Sequence, residues 1–283
     1  MLDQAPLLIK EYGARLSRAG VKEAHQQAFL ILSRVPSRKT SLDQKTRLFL
    51  ENAFLLRERR MPIERIFGTA TFYDMPFFIR DGVATLSPET EHTVHQALLS
   101  SAKKKGRLRI LDLGTGTGCM LLALLEALPQ ATGVGVDLNE KAVDLARENA
   151  RLNGLLNQAT FRVNDWGEGL NEKFDLIVSN PPHVATAAMF RLAPEKRDYD
   201  PAPALDGGND GLAFFKKTAE TVDPLLKKGG LCLCQIDPSH AFRVEFIFRN
   251  AGFKNVRILR TARGKPCCVA IEKNEPGKIT PKT

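Results

Sequence analysis

The chain has 283 residues, is 43% hydrophobic and 26% charged, and carries a formal net charge of +9. A chain of that length buries roughly three quarters of its unfolded surface, enough for one large domain or a large and a small one without covalent or metal staples. No apolar run approaches the ~20 residues that span a bilayer, and the first ten residues lack the layout of a secretory or transit peptide, so a cytoplasmic protein with no membrane contact is expected.

The positive balance suits acidic partners such as RNA, the ribosome or an anionic substrate. It equally suits solvated helix faces, as at Arg57, Arg59 and Arg60. Five cysteines, Cys119, Cys232, Cys234, Cys267 and Cys268, stand in apolar segments without C-x-x-C spacing. Buried free thiols are expected, and no metal site.

Apolar residues at helical spacing (Leu7, Ile9, Tyr12, Leu16, then Ala28, Phe29, Ile31, Leu32) predict helices from Leu2 to about Glu64. Pro36 breaks the run, and Ser41 or Leu42-Asp43 caps a third helix. Residues 1–67 thus read as a small helical domain without chemistry of its own. Thr71-Phe72-Tyr73, Asp74-Met75-Pro76 and Phe77-Phe78-Ile79 predict a β-hairpin within a linker spanning 68–88. From Arg107 strands and helices alternate. Strands are predicted at Arg109–Leu113, Thr132–Val136, Thr160–Val163, Leu176–Ser179, Leu231–Ile236, Val256–Leu259 and Cys268–Ile271. Helices are predicted at Met120–Leu128, Glu140–Asn153, Leu212–Leu226 and Val244–Asn250. Continuous apolar strands alternating with helices indicate an α/β domain, residues 89–273, whose parallel sheet is covered on both faces. The polar tail, 274–283, is expected to be disordered.

Four segments carry candidate chemistry. Asp112-Leu113-Gly114-Thr115-Gly116-Thr117-Gly118 lies between a strand and a helix. Its glycines let the backbone turn sharply and admit a ligand, and the next helix offers free N–H groups. Asp137-Leu138 ends the next strand, where an acid can accept both ribose hydroxyls of an adenosine ligand; an Asp capping the following helix is the plain alternative. Asp165-Trp166 follows the third strand. It can bracket an adenine ring, or Trp166 can be core.

Asn180-Pro181-Pro182-His183 follows the fourth strand and points to the reaction. A planar amide or aromatic amino nitrogen is a poor nucleophile because its lone pair is delocalised. Two acceptors on its N–H bonds, the Asn180 side-chain oxygen and the Pro181 carbonyl, can hold it still and favour localisation of the lone pair. The prolines preorganise those acceptors. The loop from Tyr199 to Leu212 suits a tight turn or a lid.

Taken together these residues resemble the class I S-adenosylmethionine-dependent methyltransferases, and within them the HemK-like release-factor glutamine N5-methyltransferases. Asp112 to Gly118 and Asn180 to Pro182 are shared with many class I enzymes. More specific are P-I-E-R-I-F-G at Pro62 to Gly68, the hairpin after it, S-P-E-T-E at Ser87 to Glu91 and A-L-D-G-G-N-D-G-L at Ala204 to Leu212. The resemblance implies a Rossmann-like, seven-stranded, mostly parallel sheet with the last strand antiparallel, and a five-helix-type N-terminal domain. It implies that Gly114, Gly116 and Gly118 cradle the methionine end of S-adenosylmethionine, that Asp137 holds the ribose and that Asp165 and Trp166 flank the adenine. Asp112, Thr115, Leu138 and Asn180 complete the expected cofactor set. Asn180, Pro181, Pro182 and His183 would bind and activate a glutamine in the Gly-Gly-Gln loop of peptide-chain release factors, gripped in part by the N-terminal domain. A monomer forming a transient complex is expected.

The chain departs from the family pattern at His183 (normally Tyr), Leu86-Ser87 (normally Pro-Arg), Gln235 (normally an acid) and Asp237 (normally Gly). All four departures concern the substrate side. Two other readings follow from them and from the charge: an N-methyltransferase acting on amino nitrogens of RNA, DNA or a small molecule, and a binding module that keeps the cofactor pocket without turnover.

Overall fold

A computed structural model describes residues 5–34, 43–102 and 106–273. The expected break at Pro36, the Ser41 cap alternative and the 274–283 tail lie outside the described residues. The chain divides into two compact units, Met1–Gly68 with Leu192–Tyr199, and Thr69–Arg191 with Asp200–Thr283.

The first unit holds helices α1 (Ala5–Arg18), α2 (Ala24–Ser33), α3 (Gln44–Glu58) and α4 (Ile63–Phe67). Asp43 caps α3 by accepting the Thr46 N–H at 2.8 Å, which satisfies one of the free donors of a helix start. Leu16, Ile31, Leu50 and Phe54 are fully enclosed, and Tyr12 stacks on Phe54 with ring centres 3.8 Å apart. Leu192–Tyr199 joins this unit from far along the chain. Within it the Glu195 carboxylate takes bonds from Arg57 at 2.8 Å and from Arg60 at 2.7 Å. Burial disfavours ionised Glu195, but the two guanidiniums outweigh it and bring its pKa down to about 2.

The second unit opens with a hairpin, β1 (Thr69–Phe72) and β2 (Met75–Phe78). Tyr73 and Asp74 both have positive φ, the backbone of a two-residue turn that matches strand twist. The elements α5 (Glu89–Ser101), β3 (Arg109–Leu113), α6 (Cys119–Ala127), β4 (Thr132–Asp137), α7 (Glu140–Leu152), β5 (Ala159–Val163) and β6 (Phe174–Ser179) follow. After the short α8 (Pro194–Arg197) of the first unit come α9 (Ala213–Leu225), β7 (Leu226–Gln235), α10 (Ala241–Asn250), β8 (Asn255–Arg260) and β9 (Pro266–Glu272). Strands β3 to β9 form one seven-stranded sheet in the order β5-β4-β3-β6-β7-β9-β8. Neighbours from β5 to β7 are parallel, and β9 runs antiparallel to both β7 and β8. The expected α/β class and antiparallel last strand are therefore present.

Strand alternation divides the core. Leu176, Val178, Leu231 and Leu233 face α5, α6 and the hairpin, while Ile177, Cys232, Cys234 and Ile236 face α9 and α10. Helix α6 is apolar on every side because Met120 to Leu125 are all buried. The five cysteines are free. Among the described residues no helix is long and apolar enough to cross a membrane.

One buried amide ties the hairpin to the sheet. Asn149 on α7 is fully enclosed; its Oδ1 accepts the Phe78 N–H at 2.7 Å and its Nδ2 donates to the Thr117 carbonyl at 2.9 Å. Asn149→Ala leaves a buried N–H and a carbonyl without partners, at about 1–3 kcal/mol each. We expect about 2–4 kcal/mol of lost stability in urea unfolding, with cleavage by dilute protease appearing first near Phe78. An unfolding midpoint equal to the wild type would refute the tie.

Candidate active site

Five parallel strands present their carboxyl ends at one edge, and the four candidate segments leave from β3, β4, β5 and β6. The first turn uses its three glycines differently. Gly114, Gly116 and Gly118 all have positive φ. A Cβ on Gly114 would meet the Trp166 ring at 3.2 Å, and one on Gly118 would meet the Ala146 side chain at 3.1 Å. Around Gly116 nothing lies within 4 Å, so the open side of the loop is there. The N–H groups of Gly114 and Thr115 both donate to the Val136 carbonyl at 2.9 Å, which pins this loop to β4.

Asp112, fully buried at the end of β3, accepts the Thr115 hydroxyl on Oδ2 at 2.7 Å, while its Oδ1 has no partner. Burial pushes its pKa up to about 7; the nearby Asp137 charge adds to this and the Thr115 bond opposes it. A buried carboxylate oxygen with no donor is costly unless a cation or donor arrives.

Asp137 at the end of β4 is held by two backbone donors, Gly116 N–H on Oδ2 and Asn139 N–H on Oδ1, both at 2.9 Å. Burial raises its pKa against the pull of those bonds. Each oxygen keeps a lone pair for a further donor. Leu138 beside it is 71% exposed, an apolar side chain left in solvent at the site's rim. Asn139 caps α7 and also donates to the Gly82 carbonyl at 2.7 Å. After β5, Asp165 is paired with Lys217 on α9. Trp166 is buried, gives its Nε1–H to the Thr218 hydroxyl at 2.8 Å, and lies against Phe214 with ring centres 4.7 Å apart. Its indole supports Gly114 from the core side, so Asp165 is the accessible member of the expected adenine pair.

Asn180 follows β6. Its Nδ2 donates to the hydroxyl of Thr90 on α5 at 3.2 Å, leaving Oδ1 turned away from Thr90. Pro181 is buried, and its carbonyl takes the His183 Nδ1 at 2.9 Å. A carbonyl cannot donate, so Nδ1 carries the proton and the ring is fixed against its own turn. The second lone pair of that carbonyl stays free.

The loop from Tyr199 to Leu212 has a defined duty. Val184 and Asp206 form a short parallel bridge, with the Gly207 N–H on the Val184 carbonyl at 2.7 Å. A Cβ on Gly207 would stand 2.8 Å from the His183 Cα and from the Pro182 carbonyl, and one on Gly211 would stand 2.5 Å from the His183 carbonyl. Backbone lies on backbone here, and the glycines keep Asn180 to His183 in place. The paired glycines were the signal, but only the fold shows what they touch. Thr90 lies in the S-P-E-T-E motif but was given no role, and Asn149 was missed altogether, because nothing local marks a bond to a residue so distant in sequence. An open depression of about 470 Å³, lined by Ala202, Pro203, Asp206, Gly208 and Phe214, includes none of the candidate residues and does not define the site.

This sheet order, with a glycine turn after its first strand, an acid ending the second and Asn-Pro-Pro after the fourth, is that of a class I methyltransferase. Residues 104–273 match the family described as a methyltransferase domain. Two solved structures share the fold. The hMettl16 catalytic domain in complex with MAT2A 3′UTR hairpin 6 has a TM-score of 0.58 and 16% identity, with 89% of this chain and 93% of that chain covered. The T. thermophilus 16S rRNA N2 G1207 methyltransferase in complex with AdoMet and guanosine has a TM-score of 0.52 and 22% identity, covering 73% and 50%.

Curated relatives narrow the class. The release factor glutamine methyltransferase of Caulobacter vibrioides is 36% identical over 270 residues, 89% of this chain and 92% of its own length. That of Rhodospirillum rubrum is 34% identical over 276 residues, 94% and 84%. The chain belongs to the release factor glutamine methyltransferase family.

Gly207→Ala tests the backbone contact. Its methyl group must displace Pro182 and His183, and misplacement of a reacting group by about 1 Å costs on the order of 100-fold. We expect methyl transfer to fall at least tenfold while cofactor affinity by calorimetry stays within a few-fold; unchanged turnover would show that the contact positions nothing.

Proposed function

We propose that this chain methylates the side-chain amide nitrogen of the glutamine in the Gly-Gly-Gln loop of peptide-chain release factors, using S-adenosylmethionine. The observation that carries the reading is that Asn180 gives its Nδ2 to Thr90, which leaves Oδ1 as an acceptor next in sequence to the Pro181 carbonyl: two acceptors, suited to the two N–H bonds of a primary amide. Family membership supports the substrate class.

The residues present fit the cofactor. The partnerless Oδ1 of buried Asp112 suits the α-ammonium of a methionine moiety, and the open side of Gly116 leaves room for its chain. Asp137 would take the ribose hydroxyls, Leu138 one face of the adenine and Asp165 its amino group. When bound, S-adenosylmethionine supplies an electrophilic methyl group on a sulfonium. Asn180 and Pro181 hold the amide nitrogen by its protons and favour localisation of the lone pair that attacks. As the N–C bond forms the S–C bond would break, leaving the neutral thioether; the amide proton becomes acidic only as the nitrogen gains positive charge and would then pass to water, so no base is needed before transfer. The helical unit is proposed to grip the release factor, and the basic surface to favour ribosomal contact.

Two measurements test this. Labelled methyl groups should pass to an intact release factor, but not to one whose Gly-Gly-Gln glutamine is alanine, nor to total RNA. Asn180→Ala should slow transfer roughly 100-fold, the scale of one lost preorganised polar group. Label on RNA instead would favour the amino-nitrogen reading that the +9 charge suggests.

Asp112 makes the cofactor step pH-dependent. Its folded pKa near 7 lies above its ordinary value, so the protonated carboxyl is the favoured form below about pH 7. Pairing with an ammonium needs the carboxylate. Affinity for S-adenosylmethionine should therefore fall as pH drops below about 7, approaching tenfold per pH unit, with proton release on binding. Without cofactor the sign for stability is the reverse. Ionising Asp112 costs folding free energy that accumulates from the unfolded pKa up to about 7. Calorimetry from pH 5.5 to 8 checks both statements, and a flat affinity profile would remove Asp112 from the cofactor site.

A further inference from the structure

An asparagine amide can present either end. Turned one way, Asn180 offers an acceptor to the substrate; turned the other, it offers donors to N–H bonds that cannot use them. Methyl transfer therefore needs a group that decides the orientation.

We propose that Thr90 is a positioning residue for methyl transfer: its hydroxyl oxygen accepts an N–H of Asn180 and so turns the Asn180 oxygen toward the substrate amide. The proposal rests on the reading of Asn180 as the amide's acceptor. The bond is 3.2 Å long, and Thr90 is 3% exposed, so water is poorly placed to replace it.

The surroundings act in the same sense. Ser179 pairs with Cys234 across β6 and β7, so Asn180 and Gln235 come next, side by side. By strand alternation both lie on the face that carries Val178 and Leu233, where α5 packs. Gln235 is 7% exposed and its Oε1 has no partner; Thr93, one turn beyond Thr90 on the buried face of α5, is fully enclosed and its hydroxyl oxygen has none either. Gln235 thus adds a buried acceptor without a donor beside the strand end that carries Asn180. A reversed amide would turn a second oxygen toward that acceptor and would need the Thr90 hydroxyl to donate instead of accept. The Thr of S-P-E-T-E thus acts through Asn180, without touching substrate or cofactor.

The test compares Thr90→Val, which keeps the shape and loses the acceptor, with Thr90→Ser, which keeps the hydroxyl. Thr90→Val should lower kcat for release-factor methylation about tenfold, the scale of one hydrogen bond. KM for the release factor, cofactor affinity by calorimetry and the melting temperature should stay close to wild type. Thr90→Ser should restore kcat to within about twofold. If valine prevents folding, Thr90→Cys reads the same quantity with a weaker acceptor.

A double-mutant cycle separates positioning from a structural role. On an Asn180→Ala background Thr90→Val should slow transfer no further. Wild-type kcat in Thr90→Val, or its full effect persisting without Asn180, would overturn the proposal while leaving Asn180 as the acceptor. Wild-type turnover in Asn180→Ala alone would overturn that reading and the proposal with it.

Discussion

The structure depends on a close approach of the backbone to its neighbours at the carboxyl edge of a parallel sheet. Each parallel strand brings a turn to this edge, and the turns must lie close to what surrounds them without a Cβ of their own in between. Gly114 and Gly118 meet the Trp166 ring and the Ala146 side chain, while Gly207 and Gly211 meet the backbone of Pro182 and His183. Positive φ at Gly114, Gly118 and Gly211 adds a second reason for glycine. The site is built largely from main chain: carbonyls at Val136 and Pro181, and N–H groups at Gly116 and Asn139. Main-chain groups carry no rotamer entropy of their own, so a site made of them is rigid once the sheet forms.

Rigidity of this kind must be secured from outside the edge, and three distant segments do so. The hairpin is bound through Asn149 to Thr117, the segment after it through Asn139 to Gly82, and Thr85 through Asp200, whose carboxylate takes both the Thr85 N–H and its hydroxyl. Asn139 shows how one residue serves three ends: it caps α7, donates to Gly82 and fixes Asp137 with its own N–H. Such residues have no motif. They follow from the fold, and the fold follows from periodicity.

This divides what the sequence made legible from what it did not. The strands were readable because Ile110-Leu111 and Leu176 to Val178 are continuously apolar, as strands buried on both faces must be. The glycine turn, Asp137 and Asn180 to His183 could be singled out as candidates because each is marked by its own residues and those beside it. The partners of those residues were not, since Thr90 and Asn180 are 90 positions apart. Nor was the place of Leu192–Tyr199, which joins the helical unit because Glu195 meets Arg57 and Arg60 there. Arg57 looked like a solvated charge, but its guanidinium is 5% exposed and is shared among Gln27, Met61 and Glu195. Charge counts along a helix do not distinguish such an arginine from its neighbours.

The substrate-side departures become intelligible once the register is known. Positions 180 and 235 leave adjacent strand ends, so 183 and 237 open on the same region. Burial works against ionised Asp237, but two bonds from Ser239 and the charges of His183 and His240 outweigh it and hold its pKa below the usual carboxylate range. The pKa of His240 in turn is lowered, chiefly by its own burial, with Asp237 opposing and His183 reinforcing that effect. The imidazole at 183 and the carboxylate at 237 therefore lie within electrostatic reach of each other. A glycine at 237 would put no charge beside that ring, and the side chain at 235 is neutral. One change removes a negative charge and another adds one two residues on, and Asn180 and Pro181 are unchanged.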